Sequence, residues 1–290
     1  MLKNASELLA GGVFLSDGGF GTELFKRGLA VGDSTARWNE IEPARVQEIH
    51  AAYADAGSDI VLANTFGANR IVLKGYGLEL MADKLNRLGV QNARTAVAGR
   101  ALVFGDMGPT GKMISMGDID PEEAYKAFLE QAAAFKAAGA DGVCVETMGD
   151  IDEFKLALDA CKENGLFTVG CMSFDSGKDH DRTLMGATYA QMIEAAEEAD
   201  IDMVGANCGV GIEEYVGIAQ ALLQGTKLPI WIKANAGLPV IENGKTVYKM
   251  GAETFAEHAL ALKKLGVRVI GGCCGTAPEH IRAVRKSIPR

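Results

Sequence analysis

Eight short apolar runs, each followed by a longer Ala-rich amphipathic segment, constrain the fold of this chain more than any other feature. The runs are Val13–Ser16, Ile60–Ala63, Ala101–Asp106, Gly142–Glu146, Phe167–Cys171, Met203–Ala206, Ile230–Ala234 and Val269–Gly271. They do not alternate with polar residues, which is the pattern of parallel strands buried on both faces. The segments between them have helical spacing. Pro43, Pro121 and Pro278 stand at first helical positions, and Gly57, Gly139 and Gly266 serve as stop signals. Eight strand-then-helix units with no linker between them predict an α/β protein. The expected form is a closed (β/α)8 barrel, one domain over residues 1–290, since such barrels take about 250 residues plus loop insertions. An open doubly wound sheet is the alternative arrangement of the same units.

Composition narrows the function classes. Apolar residues make up 48% and charged residues 23%, which excludes a disordered chain or a fibrous rod. No apolar run reaches the roughly 18 residues of a membrane span. The first residues hold one Lys and no long apolar core, so no secretory signal is expected. A formal charge of -9 disfavours nucleic acid as a partner. Six Cys then read as reduced thiols, metal ligands or core residues of a cytoplasmic protein. Two insertions depart from a minimal barrel. Ile241–Tyr248 carries Asn243-Gly244, a two-residue hairpin signal after the seventh strand. The Gly- and Met-rich stretch between Phe104 and Asp120 is either a plain surface loop or a lid or partner contact.

In a barrel the chemistry sits at the C-terminal ends of the strands. Those ends carry Asp17, Asn64, Asp106, Glu146, Ser173, Asn207 with Cys208, Asn235, and Cys273 with Cys274. Asx residues also end strands because they favour turns, so the set carries more weight than any member. Cys208 lies in GANCGVG after strand six, and Cys273-Cys274 in GGCCGT after strand eight. Flanking glycines let the backbone leave the pleat and turn three thiols towards one point. Three thiolates with an open fourth position describe a zinc site, the other reading being small core residues. Cys144, Cys161 and Cys171, inside strands or on a helix, suit the core. A thiol bound at such a site is deprotonated, which points to thiol alkylation as the reaction class.

Asp17–Leu24, DGGFGTEL, forms a Gly-rich turn whose amides suit a carboxylate or phosphate, and Glu146 suits an ammonium group. Together they would fit an α-amino acid. The candidate substrate contacts are Asp17, Gly18, Gly19, Glu146 and Asn207; the candidate metal ligands are Cys208, Cys273 and Cys274. His50, His258 and His280 fall in helical stretches and read as surface residues, and His180 lies in a charged loop.

With DGGFGTEL, ANTFGANR, VETM, GANCGVG, NAGLPVIENGKTVY and GGCCGTAPEHI in view, the chain resembles the homocysteine S-methyltransferase family over almost its entire length. The resemblance implies a TIM barrel with zinc held by Cys208, Cys273 and Cys274. It also implies homocysteine as methyl acceptor, its amino group near Glu146 and its carboxylate near Asp17–Gly19. Within the family the sequence is most similar to the homocysteine module of cobalamin-dependent methionine synthase. It has no D-x-H-x-x-G cobalamin signature. The methyl donor is therefore expected to be a separate methyl-corrinoid protein, with S-methylmethionine as the alternative donor and another small thiol as the alternative acceptor.

Overall fold

The computed structural model describes residues 3–242 and 245–290. Among these residues there are ten strands: β1 Phe14–Leu15, β2 Ile60–Leu62, β3 Leu102–Met107, β4 Gly142–Met148, β5 Thr168–Met172, β6 Met203–Gly211, β7 Ile230–Asn235, β8 Val240–Glu242, β9 Lys245–Val247 and β10 Val269–Gly272. Eight of them form one parallel sheet in the order β1-β10-β7-β6-β5-β4-β3-β2. All eight apolar runs supply one strand each. Helices begin at Pro43, Pro121 and Pro278, and Gly57, Gly139 and Gly266 close helices in the left-handed conformation.

The two ends of this sheet, β1 and β2, meet and nearly close the ring. Their seam is stitched largely by carboxylates. Asp59 Oδ2 accepts from Leu15 N at 2.9 Å, Asp17 Oδ2 accepts from Leu62 N at 2.8 Å, and Asp59 N donates to Leu15 O at 2.7 Å. The barrel is therefore the outcome, and the open doubly wound sheet is not.

Alternation along the strands sorts residues into layers. The lower interior is an apolar plug that includes Leu62, Phe104, Cys144, Cys171, Met203 and Trp231. Phe104 stacks on Trp231 with ring centroids 5.9 Å apart. At Gly205 a Cβ would lie 1.8 Å from the Trp231 carbonyl oxygen, so only glycine lets β6 pass that residue. Two residues further along their strands, Asp106, Glu146 and Lys233 replace apolar with charged side chains. The barrel is thus greasy below and polar at its mouth. A second, larger apolar cluster fills the space between the strands and the surrounding helices.

β8 and β9 pair antiparallel, Val240 with Val247 and Glu242 with Lys245, as the hairpin signal requires; its tip, Asn243-Gly244, lies outside the described residues. The Phe104–Asp120 stretch continues β3 to Met107, then runs irregularly with one 3-10 turn at Ile114–Met116. No helix among the described residues is long and apolar enough to cross a membrane.

The histidines correct the sequence reading. His50 is fully buried, with its ring 4.5 Å from that of Phe20 and no hydrogen-bond partner on either nitrogen among the described residues. It shares the buried stripe of its helix with Val46, Ile49 and Tyr53. Burial pushes its imidazole down from 6.5 to about 3. His280 is buried too. Its Nδ1 accepts from Ala277 N at 3.1 Å, and its Nε2 lies 3.0 Å from Met250 O. His258 is half-buried.

Candidate metal centre and adjoining pocket

β7 separates β6 from β10, so Cys208 and the Cys273-Cys274 pair stand on either side of one strand. β6 does not stop at Ala206. It continues through Gly211 with a break in register after Asn207, and Cys208 occupies the bulge. Cys208 has φ 59° and Gly209 φ 64°, a left-handed step that turns the thiol out of the pleat. On the other side, Cys273 N donates to Ala234 O at 2.7 Å and Cys274 N to Asn235 Oδ1 at 3.0 Å. The turn then passes Gly275, where a Cβ would come within 2.1 Å of the Tyr248 ring.

These backbones bring the three sulfurs within 4.8 Å of one another, with Cys208 and Cys274 at 4.0 Å. Thiolates held at about 2.3 Å by a tetrahedral divalent metal stand roughly 3.8 Å apart. The donor set therefore fits such an ion, and all three donors are soft sulfur ligands. Hydrogen bonds from Cys208 and Cys273, with a smaller one from Tyr248, lower the Cys274 thiol from 9.0 to about 3. One thiolate among three close sulfurs is a site that a cation can take over.

The sulfurs face a cavity of about 350 Å3 whose lining includes Asp17, Gly18, Gly19, Phe66, Asp106, Glu146 and Lys233. A larger cleft on the outer face, edged by Glu194, Glu197 and Glu198, is wide open and holds no thiol. The chemistry belongs to the smaller, deeper cavity. Its floor is charged. Lys233 Nζ lies 3.0 Å from Glu146 Oε2 and 3.7 Å from Asp17 Oδ1. Burial alone would lower the Lys233 ammonium, but Glu146, Asp17 and Asp106 outweigh it and hold it above its ordinary value. Burial raises Asp17 from 3.8 to about 6 against the pull of Lys233. Burial, then Glu146, pushes Asp106 well above the usual carboxylate range.

The sequence candidates divide. Asp17, Gly18, Gly19, Glu146, Cys208, Cys273 and Cys274 line this one cavity. Asn207 turns away from it and clasps the end of β4. Its Oδ1 accepts from Thr147 N and its Nδ2 donates to Thr147 Oγ1, both at 2.7 Å. Thr147 has φ 60° at a register break of its own, so the clasp fixes two strained strand ends at once. The Gly19 amide is also committed, donating to Thr276 Oγ1 at 2.9 Å, and cannot serve a substrate carboxylate. Gly18 and Gly19 are glycine because a Cβ at either would press within 2.6 Å of the turn after β10. Lys233 was missed by sequence reasoning. A lysine within the apolar run Ile230–Ala234 was the available signal.

A family model described as homocysteine S-methyltransferase matches residues 14–288. Methionine synthase of Mycobacterium leprae is 31% identical over 302 aligned residues, covering 98% of this chain and 25% of that protein. Methionine synthase of Mycobacterium tuberculosis is 30% identical, covering 97% and 25%. The chain thus spans about a quarter of the length of the curated relatives it matches. Among solved structures, the metallated form of the homocysteine methyltransferase MmuM from Escherichia coli superposes with a TM-score of 0.80 at 24% identity, covering 97% of this chain and 98% of that one. That likeness carries the barrel fold.

Proposed function

The chain belongs to the homocysteine S-methyltransferase family, and on that premise we propose that it transfers a methyl group to the thiol of homocysteine, giving methionine. The observation that carries this reading is the convergence of three sulfurs on a small cavity with an acidic floor. Cys208, Cys273 and Cys274 would hold zinc. When bound, zinc supplies a fourth position at which the acceptor thiol loses its proton and stays nucleophilic. Glu146, Asp17 and Asp106 face the end of the cavity where an α-ammonium would lie, and the acceptor carboxylate is placed beside the turn that begins Asp17-Gly18. Asn207 acts by holding the ends of β4 and β6 in place. The thiolate sulfur forms the new bond to the methyl carbon, and the electron pair of the broken bond leaves with the donor.

The donor is read as a separate methyl-corrinoid protein. Phe66, Met113, Met116, Leu184, Met185 and Leu238 are exposed apolar side chains on loops that follow β2, β3, β5 and β7, and Ile241 is another on the hairpin strand β8. Those loops all open on the mouth, and Met-rich surfaces adapt to a partner. A small sulfonium donor such as S-methylmethionine would leave that apolar rim without a use. Six free thiols suit a reducing, cytoplasmic setting. The test is methionine formation by zinc-loaded protein from homocysteine with methylated corrinoid protein, methylcobalamin or S-methylmethionine. Turnover with a corrinoid donor is expected. Turnover only with S-methylmethionine would overturn the donor, and turnover with none would overturn the reading.

A further inference from the structure

NAGLPVIENGKTVY and the APEHI that follows the GGCCGT turn stand out in the sequence, yet neither lends a side chain to the lining of the cavity. The structure ties the two together beside the sulfurs. The chain leaves β7 at Ala236, runs through the β8–β9 hairpin and returns at Met250, whose N–H donates to Ala236 O at 3.3 Å. Ala236 N in turn donates to Cys274 O at 3.0 Å, so the neck of the hairpin rests on the turn that carries the thiols. His280 closes this neck from the other side. It is the third residue of the helix Pro278–Ser287, and its Nδ1 accepts from the N–H of the N-cap Ala277 at 3.1 Å. A ring nitrogen that accepts carries no proton, so the proton is on Nε2, which donates to Met250 O at 3.0 Å. Capping the helix needs only the first of these bonds, and Glu or Gln makes it at this position in a capping box. The second bond serves the hairpin.

Tyr248 stands two residues before Met250. Its ring lies against Gly275, where a Cβ would come within 2.1 Å of it, and its hydroxyl donates to the Cys274 sulfur. We propose that His280 and Tyr248 are positioning residues of the thiol centre: His280 fixes the hairpin at Met250, and the fixed hairpin holds the Tyr248 hydroxyl on the Cys274 sulfur. The inference rests on the reading of the three cysteines as a zinc site. A hydrogen bond to a ligand sulfur stabilises its thiolate against reprotonation and fixes its direction. Losing such an outer partner of a metal ligand costs about 10- to 100-fold in metal affinity.

The test compares His280→Glu, His280→Gln and Tyr248→Phe by zinc titration against a competing chelator, and by the sulfur-to-metal charge-transfer band of the cobalt(II)-substituted protein. An ionised Glu can accept from Ala277 N–H as a cap but has no proton for Met250 O, whereas Gln can do both. Tyr248→Phe keeps the ring on Gly275 and removes only the hydroxyl. His280→Glu and Tyr248→Phe should each weaken zinc by about 10-fold and shift the band. His280→Gln should stay within about threefold of wild type with the band in place. The double variant of His280→Glu with Tyr248→Phe should lose no more than either alone, because both break one path. Wild-type zinc affinity and band in either His280→Glu or Tyr248→Phe would overturn the inference. So would equal losses in His280→Glu and His280→Gln, or losses that add in the double variant. If His280→Glu fails to fold, Tyr248→Phe decides alone. If the wild-type protein binds neither zinc nor cobalt, the zinc reading falls and this inference with it; every other failure leaves that reading intact.

Discussion

Asn207→Ala separates a residue that contacts substrate from one that holds the site together. The wild-type side chain is fully buried and makes two 2.7 Å hydrogen bonds to Thr147, one to its backbone N–H and one to its hydroxyl. Two such bonds contribute about 1 kcal/mol each, and stranding the Thr147 N–H adds about 1–3 kcal/mol. Thr147, no longer held at φ 60°, can relax and return about 1–2 kcal/mol. The net expectation is a loss of about 1–4 kcal/mol of stability. Because the clasp joins the strand that carries Glu146 to the bulge that carries Cys208, zinc affinity should fall as well. Chemical unfolding of the zinc-loaded protein, together with titration of zinc against a competing chelator, measures both. Homocysteine and 4-mercaptobutyrate, which lacks the amino group, should weaken together, since no amino-specific contact is removed. Unchanged stability, with a loss confined to amino-bearing thiols, would refute the clasp and return Asn207 to the substrate.

Three further outcomes follow from particular residues. Cys273→Ala should lose most of the bound zinc in metal analysis, whereas Cys161→Ala, buried in the helix Ile151–Glu163, should keep it. His50 binds a proton less readily folded, at about 3, than unfolded, at 6.5. The unfolded chain therefore takes up more protons between those values, and stability is lost as pH falls below 6.5, by up to about 1.4 kcal/mol per pH unit; His50→Leu should flatten the acid limb of the stability curve, and an unchanged limb would count against the burial account. Gly205→Ala would set a methyl group 1.8 Å from the Trp231 carbonyl oxygen, so it should cost about 3 kcal/mol or more in thermal or chemical unfolding.

The strands were legible because parallel strands buried on both faces leave unbroken apolar runs, and β1 to β7 and β10 each arise from one. The thiols were legible because Gly-flanked cysteines at strand ends have few other uses. The clasp of Asn207 was not legible because a strand-end amide looks the same whether it meets substrate or holds a neighbouring strand. The partner, Thr147, is 60 residues away in sequence, and nothing local records the contact. His50 could have been placed inside from its spacing with Val46, Ile49 and Tyr53. Lys233 stood inside its strand run with apolar residues on both sides, whereas Asp106 and Glu146 end theirs, and that interior charge should have been taken as evidence of a polar barrel floor. The second role of Asp17 as a seam between β1 and β2 depends on ring closure, which no sequence window contains.

X-ray absorption at the zinc edge, recorded on the loaded protein before and after homocysteine is added, tests the central claim most directly. Cys208, Cys273 and Cys274 should give three sulfur neighbours and one lighter atom, and homocysteine should replace the lighter atom to give four sulfurs. Fewer than three sulfurs at the start, or a sulfur count unmoved by homocysteine, would contradict the account.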